Sequence, residues 1–130
     1  MRYQFIIDSK IERLDSVYRW LESLLKRRKI DCDLIQKILF VSQEITTNAI
    51  LHGNRKIPTK RVHIILRLTP KRVILNISDE GSRIFRLPTK KQATKLDYLK
   101  ECGRGLKLTV LMSDRVVLAN GGIEIYFNIK

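Results

Sequence analysis

The chain has 130 residues, 44% of them hydrophobic, with three prolines and six glycines. That is the size and composition of one compact domain spanning 1–130, and a second is not expected. Its 26 Lys and Arg against 13 Asp and Glu give a formal charge of +13, so an anionic partner is expected, although charge alone does not choose between nucleotide, nucleic acid and acidic protein.

No run of about eighteen apolar residues occurs, and the opening MRYQFIIDSKIERLDS lacks the apolar core and cleavage site of a secretory signal. A cytoplasmic protein with no membrane contact is therefore expected. Cys32 and Cys102 have neither zinc-site pairing nor disulfide-scaffold density, and read as buried or partly buried free thiols. The cations are scattered and not interleaved with aromatics, which disfavours a stacking platform for single-stranded nucleic acid.

In chain order, YQFII at 3–7 is a short apolar stretch before Ser9, which with Glu12 has the form of a capping box. A helix should come next, with Ile11, Leu14, Val17, Tyr18, Leu21, Leu24 and Leu25 on one face and KRRK closing it. A second helix should begin near Asp31 or Asp33 and run to about His52 on a stripe of Leu34, Ile38, Val41, Ile45 and Ala49, ended by Gly53 and Asn54.

Two alternating segments, 61–68 and 72–78, separated by Thr69, Pro70 and Lys71, predict an antiparallel strand pair. Residues 80–102 show neither period and exceed the usual length of a loop without a function, which suggests a lid. A helix over Gly103 to Met112, then RVVLA, the turn NGG and IEIYFNIK, complete the order. The economical fold class is α+β: a mainly antiparallel sheet with helices on one face.

Glu44 and Asn48 are four residues apart and so stack about 40° apart around the second helix, beside its apolar stripe. Asn48 and His52 share azimuths with Val41, Ile45 and Leu34, so polar groups there need partners. The pair could cap neighbouring backbone groups, or supply a carboxylate base beside an amide oxygen for a hard cation such as magnesium. Asp79, Glu80 and Gly81 form a strand-to-loop corner, by itself an ordinary turn. Gly103, Arg104 and Gly105 stand where a helix should begin, so their free N–H groups could bind phosphate, with Arg104 adding a forked contact. A lone G-x-G is a weak signal.

Together and in this order, VSQEITTNAILHGN, ISDEG and GRGLKLTVLMSDRV resemble the ATP-binding domain of the GHKL (Bergerat-fold) superfamily, and most of all its small anti-sigma-factor serine/threonine kinases. The similarity covers nearly the whole chain. It implies a two-layer α/β sandwich in which Asn48 holds Mg2+ against the ATP phosphates, Asp79 recognises the adenine amino group and Gly81 shapes the base pocket. Gly103, Arg104, Gly105 and Leu106 of the G-R-G-L box would anchor the lid over the phosphates, and Glu44 would be the catalytic base for a partner's hydroxyl. Arg83 stands where the family usually has the second glycine of D-x-G-x-G, and Ile123 follows Gly122 where threonine is common. Both departures touch the adenine side.

The resemblance implies a kinase that phosphorylates an anti-anti-sigma (STAS-type) protein and binds a sigma factor, often as a homodimer. The alternative is a nucleotide-gated or nucleotide-free binding regulator without transfer. Direct nucleic-acid binding is a third and weaker idea, to be recognised by steep salt dependence. Histidine-kinase activity is disfavoured because His52 and His63 both lie inside the predicted ATP domain, with no preceding dimerisation helix that carries an acceptor histidine.

Overall fold

The computed structural model describes residues 1–81, 104–119 and 121–129, with backbone alone at Arg104 and Gly105. Most of the expected lid, with Arg83, Cys102 and Gly103, lies outside these residues.

Strict alternation makes the sheet. In β2 (Arg61–Leu68) and β3 (Arg72–Ser78) the even-numbered residues of the first and the odd-numbered of the second point inward, as period two requires. Thr69 closes the turn between them: its N–H donates to the Arg72 carbonyl at 3.0 Å, and its Oγ1 accepts the Arg72 N–H at 2.9 Å. With β1 (Arg2–Asp8), β4 (Arg115–Ala119) and β5 (Gly122–Asn128), the strands pair antiparallel throughout in the order β1-β2-β3-β5-β4. Gly122 therefore opens a strand opposite Ser78 and is not part of the turn.

Helices α1 (Leu14–Arg27) and α2 (Cys32–Asn48) cover one face of this sheet, and α3 (Arg104–Met112) packs against α2. Val62, Ile64 and Leu66 of β2 meet Val73, Leu75 and Ile77 of β3 and Ile123, Ile125 and Phe127 of β5 in one core with Leu21, Leu25, Ile38 and Ile45. Burying each such side chain contributes about 1.5–3 kcal/mol, which is what holds the two layers together. Trp20 of α1 stacks on Phe5 of β1, ring centroids 5.1 Å apart, and closes the edge. The α+β sandwich with helices on one face is thus the fold.

Three local expectations fail for physical reasons. Ser9 caps nothing: the chain enters α1 through a 3-10 turn, Ile11–Arg13, without a side-chain cap, because the Ser9 hydroxyl is buried and donates to the Lys60 carbonyl at 2.6 Å. Ile11 and Tyr18 stay exposed, the first because it precedes the α-helix proper. Cys32 is an exposed free thiol at the start of α2. Among the described residues no helix is long and apolar enough to cross a membrane.

Candidate functional site

Asp31 caps α2, its carboxylate accepting the N–H groups of Asp33 and Leu34 at 3.1 and 3.4 Å. That satisfies two donors that a helix start leaves without intrahelical partners. At the other end the helix changes pitch. Over Ala49–Gly53 it becomes a π-helical turn, and the Asn54 N–H reaches the Ala49 carbonyl, five residues back, at 2.8 Å. Turns of this kind are concentrated at functional sites. The wider turn rotates the residues beyond Ala49, so His52 faces solvent while Ile50 and Gly53 are buried. The α-helical azimuth predicted for His52 is therefore wrong.

Asn54, directly after the turn, has no accessible surface. Its side-chain amide donates to Ser9 Oγ at 2.8 Å and to the Arg61 carbonyl at 3.0 Å, and its Oδ1 accepts the Glu80 N–H at 2.8 Å. One residue thus joins the end of β1, the start of β2 and the loop after β3. Glu80 returns along the same path, its carboxylate accepting the Arg61 N–H. The sequence marks Asn54 only as a helix terminator; the signal that could have found it is a polar side chain directly after a glycine that must be buried.

This tie brings the π turn against the D-E-G corner. A Cβ at Gly53 would overlap the Asp79 carboxylate, and one at Gly81 would overlap the Gly53 carbonyl. Glycine is needed at Gly81 because the Gly53 backbone lies too close for any side chain, and at Gly53 because the Asp79 carboxylate fills the place of one. The Gly81 N–H donates to Asp79 Oδ1 at 2.9 Å, which fixes the carboxylate in a half-buried position. After the turn, Arg55 and Lys56 hold left-handed backbone, φ 51° and 59°. Such a conformation costs about 1–2 kcal/mol per residue, and it is imposed here by the Lys56 N–H donating to the Ile50 carbonyl at 2.8 Å. Backbone strain of this sort gathers at functional sites.

Glu44 and Asn48 lie one turn apart on α2, both half-buried. Neither side chain makes a hydrogen bond or ion pair among the described residues, so the internal capping network considered for them is absent there. Between them, Thr46 Oγ1 is buried without a hydrogen-bond partner. Among the described residues no cluster of three or more His, Cys, Asp or Glu could hold a metal by itself. An amide oxygen sharing magnesium with nucleotide phosphates does not need one, because that cation keeps few protein ligands.

The structure therefore places Asp79 and Gly81 together, with Glu44 and Asn48 on the helix leading into the same π turn. Leu106 packs half-buried against the core from α3, and Arg104 and Gly105 form the start of that helix. The model of the family described as "Histidine kinase-like ATPase domain" matches residues 7–129. No curated protein matches the chain.

Proposed function

The chain belongs to the histidine kinase-like ATPase domain family, an ATP-binding family, and we propose that this member is a regulatory serine/threonine protein kinase of the anti-sigma-factor type. The observation that carries the proposal is the pair Glu44 and Asn48, half-buried without a partner among the described residues. The helix that bears them runs into the glycine-lined corner where Asp79 is fixed. A ligand that covers this pair takes both side chains out of water and has to supply their hydrogen-bond or metal partners, since a polar group buried without one is costly.

In this reading Asp79 accepts a hydrogen bond from the adenine amino group, and Gly81 leaves room for the base. Asn48 supplies an amide oxygen to Mg2+, which neutralises charge on the phosphates when bound. Gly103, Arg104, Gly105 and Leu106 anchor the lid on the phosphate side. Glu44 takes the proton of a partner's serine or threonine hydroxyl as its oxygen bonds to the γ-phosphorus and the bond from that phosphorus to the bridging oxygen of ADP breaks. Positioning and charge stabilisation provide most of the acceleration. The phosphorylated partner would be a STAS-type anti-anti-sigma protein and the sequestered one a sigma factor.

Calorimetry of Mg2+-dependent ATP binding tests the site. Asp79→Asn and Asn48→Ala should each weaken binding by at least about tenfold, the equivalent of about 1.4 kcal/mol. Glu44→Gln should leave binding within about twofold while abolishing transfer to a protein hydroxyl. Wild-type affinity in both binding variants would remove the proposed site. Transfer undiminished in Glu44→Gln would remove the role given to that residue.

A further inference from the structure

We propose that the face of the sheet turned away from the helices is a docking surface for an acidic protein. The proposal rests on the partner-binding half of the function above and not on its nucleotide half.

Strand alternation decides what this face carries. Arg2, Arg61, Arg67, Arg72 and Arg115 all stand at outward registers, on four of the five strands. The whole chain has 13 arginines and 13 lysines, yet among the described residues no strand lysine shares this face. Protein interfaces are enriched in arginine and tyrosine and depleted in lysine, because a planar guanidinium pairs with carboxylates in fixed geometry and is easily desolvated.

Between the arginines, apolar side chains alternate with polar ones such as His63, Asn76 and Glu124. Ile6 is 43% exposed, and Ile65 and Val117 are partly exposed. Ile74 is only 7% exposed and stands outside the core cluster, flanked by its cross-strand partners Arg67 and Tyr126. Arg115 lies over the Tyr126 ring, 5.6 Å from its centroid. Arginine and tyrosine beside aliphatic side chains is a composition that protein interfaces favour.

Charge complementarity selects the occupant. The strand carboxylates of this face are Asp8 and Glu124, and both are already neutralised: Asp8 by Arg13 at 2.9 Å and Lys10 at 3.7 Å, Glu124 by Arg67 at 3.4 Å. A second copy would therefore bring Arg2, Arg61, Arg72 and Arg115 against the same four, with no uncommitted strand carboxylate among the described residues to receive them, and like charges facing each other are strongly disfavoured. Among the described strand residues nucleic acid would find the rings of Tyr126 and His63 for stacking on this face, where single-strand binders use several aromatic side chains. A partner that offers glutamate and aspartate beside apolar side chains meets both the arginines and the aliphatic groups among them.

The test is an NMR titration of the isotope-labelled chain with a short synthetic peptide of alternating glutamate and leucine. Amides of β3, β4 and β5 should shift, and the Arg72→Glu/Arg115→Glu double variant should weaken binding by about tenfold or more. Equal charge reversal at Arg19 and Arg27 of α1 should change it by less than about twofold, a purely long-range effect at moderate salt. ATP binding by the Arg72→Glu/Arg115→Glu variant should be unchanged, which keeps failure of this surface distinct from failure of the nucleotide site. Absent binding, shifts centred on the helices, or equal losses from the two pairs of reversals would overturn the proposal. Tighter binding of single-stranded poly(U) to the same amides would overturn it in favour of nucleic acid. A concentration-dependent dimer that the Arg72→Glu/Arg115→Glu change disrupts would overturn it in favour of self-association.

Discussion

Two regions of this molecule are each built round a buried polar side chain, and they use it differently. At the candidate nucleotide corner, Asn54 is fully buried and spends its amide on the Arg61 carbonyl, the Glu80 N–H and the hydroxyl of Ser9. On the open face, Glu124 is 5% exposed and its partners are side chains: Asn76 at 3.3 Å, the Tyr126 hydroxyl and Arg67. A residue bonded to main chain sets where backbones lie. A residue bonded to side chains sets only which way those side chains point. The first arrangement makes a shaped corner and the second a patterned surface.

The largest effect expected from this contrast is at the corner itself. Gly81→Ala should destabilise the fold by about 2–3 kcal/mol, because its Cβ meets backbone that cannot yield, and should abolish measurable ATP binding; denaturant unfolding and calorimetry read the two effects. A variant as stable as wild type would mean that the close approach of Gly53 and Gly81 does not define the site.

Next, Asn54→Ala removes the partner of the Glu80 N–H and of the Arg61 carbonyl and one of the two bonds of the Ser9 hydroxyl and should cost about 3 kcal/mol, whereas Glu124→Gln keeps an acceptor for Tyr126 and Asn76 and should cost about 1 kcal/mol. Chemical denaturation of both variants compares them directly. Equal losses would erase the distinction drawn between the two regions.

The smallest effects are in pH, and they have opposite signs. The hydrogen bond from Arg13 holds the Asp8 carboxyl below its ordinary value of 3.8. The stabilisation from this pair is complete above that value and disappears as pH falls through the lower folded one. Glu124, accepting the Tyr126 hydroxyl, pushes the phenol above its ordinary 10.0. That contribution is complete below 10.0 and is lost as pH rises through the folded value. Thermal unfolding across acid and alkaline pH should show Arg13→Gln flattening only the acid limb and Glu124→Gln only the alkaline one. Both contributions are slight because the groups are near solvent.

Much of this is legible in the sequence, and the reason differs by residue. The bounds of β2 and β3 and the turn at Thr69 come from alternation and a proline, which act locally. Motif and helical spacing single out Asp79, Gly81, Glu44 and Asn48. That Gly53 must lack a side chain is not legible, because its obstacle is Asp79, distant in sequence. Ser9 misleads for the same reason: its local capping pattern loses to a bond with Lys60 across the fold.

The sequence by itself determined the secondary elements, the apolar layer and the family, since periodicity and motif order are properties of the chain read in one dimension. Only the tertiary structure decided that α2 ends in a π turn, that Asn54 rather than Ser9 organises the corner, and that five arginines share the face turned away from the helices. Each of those depends on which backbones meet, and hydrogen bonds between residues far apart in the chain leave no periodic trace within it.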